Sequence, residues 1–122
     1  MIADFYNKIV EIVEKDTRYK ADAYEFVMQA LGFTQKRLNR SGHVAGRELL
    51  EGIRQLGLEQ YGPMTKAVFQ HWGVEKTDDF GEIVFKMIEN GLMGKNDNDS
   101  IDDFKNVYDF DEVFDSKKQF GL

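Results

Sequence analysis

Between Glu25 and Glu48 the chain carries no acidic residue, while Lys36, Arg37, Arg40 and Arg47 supply four cations with His43 among them. This cluster surrounds a Ser41-Gly42 loop that leads into a helix. Backbone N–H groups in a first helical turn have no intrahelical acceptor, and the helix dipole favours negative charge there. Arginines beside them add bidentate donors for phosphate or carboxylate. Arg37, Arg40, His43 and Arg47 are therefore the candidate anion- or partner-binding residues. If they form a site, the exposed ends of Arg37, Arg40 and Arg47 should converge near the start of the third helix. The plainer alternative is that Lys36 and Arg37 match the dipole at the end of their own helix. In that case Asp102, Asp109 or Asp111 would fold back to neutralise the others.

A second concentration of chemistry is acidic: Asp97, Asp99, Asp102, Asp103, Asp109, Asp111, Glu112 and Asp115. Asp97-x-Asp99 has the opening of a calcium loop, but the pattern then fails. Ile101 stands at loop position five, Asp102 where the turn requires glycine, and Tyr108 where a bidentate glutamate belongs. A solvated acidic face, or a face for a basic partner, fits better, and no metal or cofactor is assigned. For catalysis there are two histidines. His71 adjoins Trp72 in a short amphipathic segment and is expected to be packed. His43 has Ser41 two positions away, but closeness in sequence is not a nucleophile–base pair with a third, orienting group. No catalytic residue is assigned. Acids brought to His43 by folding would strengthen the case for a small enzyme.

These residues must be positioned by helices. Ile2, Phe5, Tyr6, Ile9 and Val13 recur at three- and four-residue spacing, predicting a helix over 2–15. Tyr24, Val27, Met28 and Leu31 predict a second over 20–38. Leu49, Leu50, Ile53 and Leu56 predict a third over 45–60, closed by Gly62 before Pro63 starts a fourth. The fifth has the clearest stripe, Phe80, Ile83, Val84, Met87 and Ile88, capped at Thr77 or Asp78 and closed by Gly91. Glu11 with Lys15, and Glu82 with Lys86, are spaced for surface ion pairs. Ser100 and Asp103 form a variant of a capping box. Residues 92–110 are open between a small β-hairpin, which would give a winged-helix-like arrangement, and further helix. The helix that would enter a major groove carries Asp78, Asp79, Glu82 and Glu89 against Lys86 alone, the wrong charge for DNA. Gly52 and Gly57 lie inside the third helix, where each costs about 1 kcal/mol relative to alanine. A close helix crossing or a break in the helix is expected there, and Gly32 and Gly81 raise the same question.

The 122 residues fit one mainly α domain of five to six helices, with 116–122 as a frayed tail. The ten Phe, five Tyr and one Trp are enough to build a core and make disorder untenable. The absence of cysteine excludes disulfides, thiolate zinc sites and cysteine nucleophiles. Met1-Ile2-Ala3-Asp4-Phe5 does not read as a signal peptide and no stretch is long enough to span a membrane, so a cytoplasmic location is expected. Net charge is −6. Residues 1–77 hold 11 basic and 10 acidic residues, whereas residues 78–122 hold 5 and 12, a net −7 that repels phosphate backbones.

Several strings taken together resemble an uncharacterised bacterial family. They are Gly42-His43-Val44, Gly46-x-Glu48-Leu49-Leu50-Glu51-Gly52-Ile53-Arg54, Tyr61-Gly62-Pro63-Met64, Trp72-Gly73, Asp79-Phe80-Gly81-Glu82-Ile83-Val84-Phe85 and Tyr108-Asp109-Phe110-Asp111. The family is the conserved-hypothetical "Minf-type" family of verrucomicrobia, planctomycetes and deltaproteobacteria. The resemblance covers about residues 2–115. Lys20 stands where the family often has proline, and Ala45 where it often has serine. The family carries no assigned activity, so the resemblance implies an identity but no mechanism. The leading expectation is a non-enzymatic protein-interaction or adaptor domain with a protein partner. An RNA- or anion-binding module using residues 36–47 is the second, and a small enzyme the third.

Overall fold

A computed structural model describes residues 2–115, with side chains from residue 4 onward. The expected frayed tail at 116–122 lies outside the described residues. The chain is helical: α1 (Ile2–Lys15), α2 (Ala21–Arg37), α3 (Gly46–Tyr61), α4 (Thr65–His71), α5 (Thr77–Glu89) and a one-turn α6 (Phe110–Val113). Two 3₁₀ turns, Gly62–Met64 and Ile101–Phe104, complete it. The described residues contain no strand, so the hairpin considered for 92–110 is not formed. That segment is a polar loop, the second 3₁₀ turn and a turn into α6. Ser100 starts the 3₁₀ turn as predicted: its Oγ accepts from Asp102 N–H (3.1 Å), and Asp103 accepts from Ser100 N–H (3.1 Å).

Helix α2 packs against α3 and α5, α1 covers α2, and the Ile101–Phe104 turn lies on α5. The shared core is aromatic at its centre. Phe69 of α4 has Phe26, Trp72, Phe80, Phe110 and Phe114 around it, with ring centroids 5.2–5.8 Å away. These separations and tilts are those that aromatic pairs prefer. Leu49, Leu50, Ile53, Phe80, Val84 and Met87 are all buried, as their spacing predicts, while Ile88 is half-buried at the edge. Tyr6 departs from expectation: it is 50% exposed, and Ile12 is buried with Ile9 instead. One residue beyond Phe5 is a turn of roughly 100° around a helix, which takes Tyr6 off the buried stripe.

The 101–107 segment is fastened to the start of α5. Thr77 Oγ1 donates to Phe104 O (2.7 Å) and accepts from Val107 N–H (3.0 Å). Asn106 N–H donates to Asp78 Oδ1 (3.0 Å). Farther on, the Tyr108 hydroxyl donates to Leu50 O in the middle of α3 (2.7 Å). These bonds hold residues 104–108 against α3 and α5.

Two buried tyrosines, Tyr19 and Tyr24, and the partly buried Tyr108 set an alkaline limit on stability. Burial pushes the hydroxyl of Tyr24 up to about 12, with Asp16 adding to the shift. Burial is also the main reason that Tyr19 and Tyr108 titrate well above the ordinary tyrosine value. An unfolded tyrosine titrates near 10. Above that value the unfolded chain has lost protons that the native chain keeps, so stability falls as pH rises. The urea midpoint should therefore hold below pH 10 and drop progressively between pH 10 and 12. Tyr24→Phe should unfold like the parent at pH 7 and show a shallower alkaline slope, and an identical slope would exclude Tyr24 as a contributor.

Candidate functional site

Two loops meet over the α3–α5 side of the core. The first leaves α2 through Asn39, whose φ of 53° is left-handed. There the Arg40 N–H donates back to Gln35 O (2.9 Å), a helix-ending arrangement that turns the chain outward. Gln35 Nε2 then donates to Gly42 O (2.9 Å) and holds the loop that leads to α3. The second loop leaves α5 through Gly91, at φ 73°. Leu92 N–H donates to Met87 O (2.9 Å) to close that helix. Asp99 Oδ2 accepts from Asn96 N–H (2.8 Å) and shapes the loop ahead of Ser100.

Between the loops lies a cleft of about 360 Å³. Its apolar lining comes from Leu31 of α2, Leu49 of α3, Val84 and Ile88 of α5, and Met93 and Phe104 beyond α5. Its polar groups include Gln35, His43, Asn96, Asp99, Ser100 and Asp103. His43 Nε2 lies 3.1 Å from Asp99 Oδ1, so the two loops are joined side chain to side chain. Ligand sites usually have volumes of roughly 300–1,000 Å³ and a mainly apolar lining with a few convergent polar groups; this cleft is at the small end of that range and more polar than most.

The four predicted site residues divide into two pairs. Arg40 is already engaged: its guanidinium grips Glu48 with two bonds, 2.7 and 3.1 Å. Glu48 Oε1 also accepts from Ala45 N–H at the start of α3 (2.9 Å). Arg40, and then this N–H, hold the Glu48 carboxyl below its ordinary range. The chain's own carboxylate thus takes the place reserved for an anion at this helix start. His43 is engaged by Asp99. Arg37 and Arg47 are exposed and make no ion pair among the described residues. The acids expected to fold back do not do so. Asp102 pairs with Lys105, Asp111 pairs with Lys66, and Asp109 caps α6. Glu48 takes Arg40 and Asp99 meets His43 in their place.

Other side-chain expectations change as well. His71 is exposed rather than packed. It sits two residues past Phe69, roughly 200° around α4 from the buried face. Lys86 lies 3.7 Å from Glu89, while Glu82 approaches Arg18 at 3.6 Å, so the predicted Glu82–Lys86 pair is not made.

His43 with Asp99 supplies the imidazole–carboxylate half of a general-base arrangement. Neither the Ser41 nor the Ser100 hydroxyl bonds to His43 among the described residues, so no nucleophile completes it. Among those residues no group of three or more His, Asp or Glu is placed to hold a metal ion. Sequence reasoning missed Asp99 and Asp103 as parts of a site. Asp103 had a local signal in its spacing from Ser100, whereas nothing near Asp99 points to His43.

Fold and site together define a small helical protein with a cleft between the α2–α3 loop and the segment after α5. No family model, curated protein or solved structure matches the chain. No helix of the described residues is long and apolar enough to cross a membrane.

Proposed function

We propose that this chain is a non-enzymatic interaction module that receives a side chain of a protein partner in the cleft. The cleft itself carries this reading: about 360 Å³ with a mixed apolar and polar lining, held between two loops pinned by hydrogen bonds. Protein interfaces concentrate their binding energy in anchors that fill such pockets. The RNA- or anion-binding alternative is weaker, because Arg40 and the Ala45 N–H are already taken by Glu48. The small-enzyme alternative draws on the His43–Asp99 contact alone. Membership of the Minf-type family and a cytoplasmic location belong to the same reading. The motif strings support the first, and the lack of cysteine is consistent with the second.

A cleft-filling substitution tests the reading. Met93 is half-buried on the cleft lining. Met93→Trp should leave the melting temperature within a few degrees of the parent and abolish the protein recovered by pull-down from the native host. Arg40→Glu with Arg47→Glu should still recover that protein, with a small stability loss that shrinks in high salt. The opposite pattern would move the function to the basic stretch.

A further inference from the structure

We propose that the side chain this cleft takes is a lysine from a basic segment of the partner. The proposal rests on the interaction reading above and assigns the chemistry of the guest. Lysine buries a four-carbon stem along apolar surface while its ammonium stays at a polar edge. The cleft offers both in one place: Leu49, Val84 and Ile88 for the stem, and Asp99 and Asp103 for the ammonium. Asp103 uses Oδ2 to accept from Ser100 N–H, and its other oxygen accepts no hydrogen bond among the described residues. Among those residues no Lys or Arg pairs with either aspartate; Asp99 meets the His43 imidazole at Oδ1 and the Asn96 N–H at Oδ2. Lys95 also lines the cleft, but it is exposed and its ammonium donates to Asn96 O (3.2 Å).

The alternatives are poorer fits. A purely apolar guest would cover carboxylates without giving them a donor, and that desolvation is costly. An anionic guest would meet two like charges. Residues 78–122, with 12 acidic and 5 basic residues, extend the negative field beyond the cleft and would steer a basic segment toward it.

The test is a ¹⁵N-labelled titration of the full chain at low salt. Three blocked peptides with glycine flanks carry lysine, norleucine or glutamate at the centre. Norleucine keeps the lysine stem and removes the charge. Amide shifts should concentrate in residues 42–49 and 93–104. The lysine peptide should bind at least about tenfold more tightly than norleucine, and glutamate should not bind. Asp99→Asn and Asp103→Asn should each erase most of the lysine preference. Raising the salt on the unmodified chain should reduce it too, without any risk to folding. Norleucine binding as tightly as lysine would overturn the charge assignment and leave the cleft reading standing. Failure of all three peptides to move cleft resonances would overturn the cleft reading itself. n-Pentylamine binding as tightly as the lysine peptide would make the guest a free amine and remove the protein partner.

Discussion

Gly52→Ala should destabilise the domain by about 2–4 kcal/mol, although alanine is the better helix former by about 1 kcal/mol. Gly52 faces α2, where a Cβ would stand 1.8 Å from Thr34 Oγ1 and 3.1 Å from Thr34 Cβ. Thr34 is fully buried, and its hydroxyl donates to Ala30 O (2.7 Å). Rotating the hydroxyl away breaks that bond in an apolar setting, at a cost of about 1–3 kcal/mol. Keeping the bond forces α2 and α3 apart, and overpacking of this kind costs about 1–3 kcal/mol. Thr34→Ala combined with Gly52→Ala should recover part of the loss, which makes the two sites strongly coupled in a double-mutant cycle. Gly32→Ala is the control. Gly32 lies inside α2 with nothing within 4 Å of a built Cβ, so alanine there should stabilise by up to about 1 kcal/mol. Urea melts read both, and stabilisation at Gly52 would remove the close-crossing account.

Phe104→Ala should cost more, about 3–5 kcal/mol. The ring is 3% exposed and sits between two helices that present glycine to it. A Cβ on Gly81 would stand 2.7 Å from Phe104 Cβ, and one on Gly46 2.9 Å from Cε1. Phe85 meets the ring edge-on, with centroids 6.5 Å apart. Gly46 and Gly81 have no side chains that could move into the space an alanine leaves. The loss should therefore lie toward the top of the range. The same ring lines the cleft, so the variant should also lose the binding described above. Phe104→Leu, which fills most of the volume, should lose much less. A lowered urea midpoint with an unchanged slope is the expected signature. A loss below about 0.5 kcal/mol, typical of a surface change, would show that the ring is not a wedge.

The glycines show how far the sequence can be read. Gly52 and Gly57 inside a strong helical stripe point to a close crossing or a break in the helix, and both face a crossing: a Cβ on Gly57 would stand 2.9 Å from Thr65 Cγ2 and 3.0 Å from Phe69 Cζ. Gly81 raises the same question and meets Phe104. Gly32 carries an identical signal and faces open space. A helix pattern says that a glycine is there, but whether another element stands opposite is a property of the packing. The same limit applies to Tyr6 and His71, where apolar company in sequence suggested burial and the angle around the helix decided otherwise.

By itself the sequence determined the first five helices to within about two residues and the Ser100–Asp103 cap, because each depends on residues within about four positions of one another. It left the Ile101–Phe104 turn and α6 open, and α5 is capped by Asp79 at Lys76 rather than by Thr77 or Asp78. The sequence also marked Arg40 and His43, with Arg37 and Arg47, as groups that would meet an anion or a partner. Only the tertiary structure decided what those partners are. Glu48 reaches Arg40 from eight positions away, and Asp99 reaches His43 from fifty-six. The packing of α2 against α3 and α5 brings the two loops together, and no local propensity encodes that meeting. A stretch that reads as a free cationic site therefore has Arg40 and His43 engaged by the chain's own acids, and the cleft those contacts frame is visible only in three dimensions.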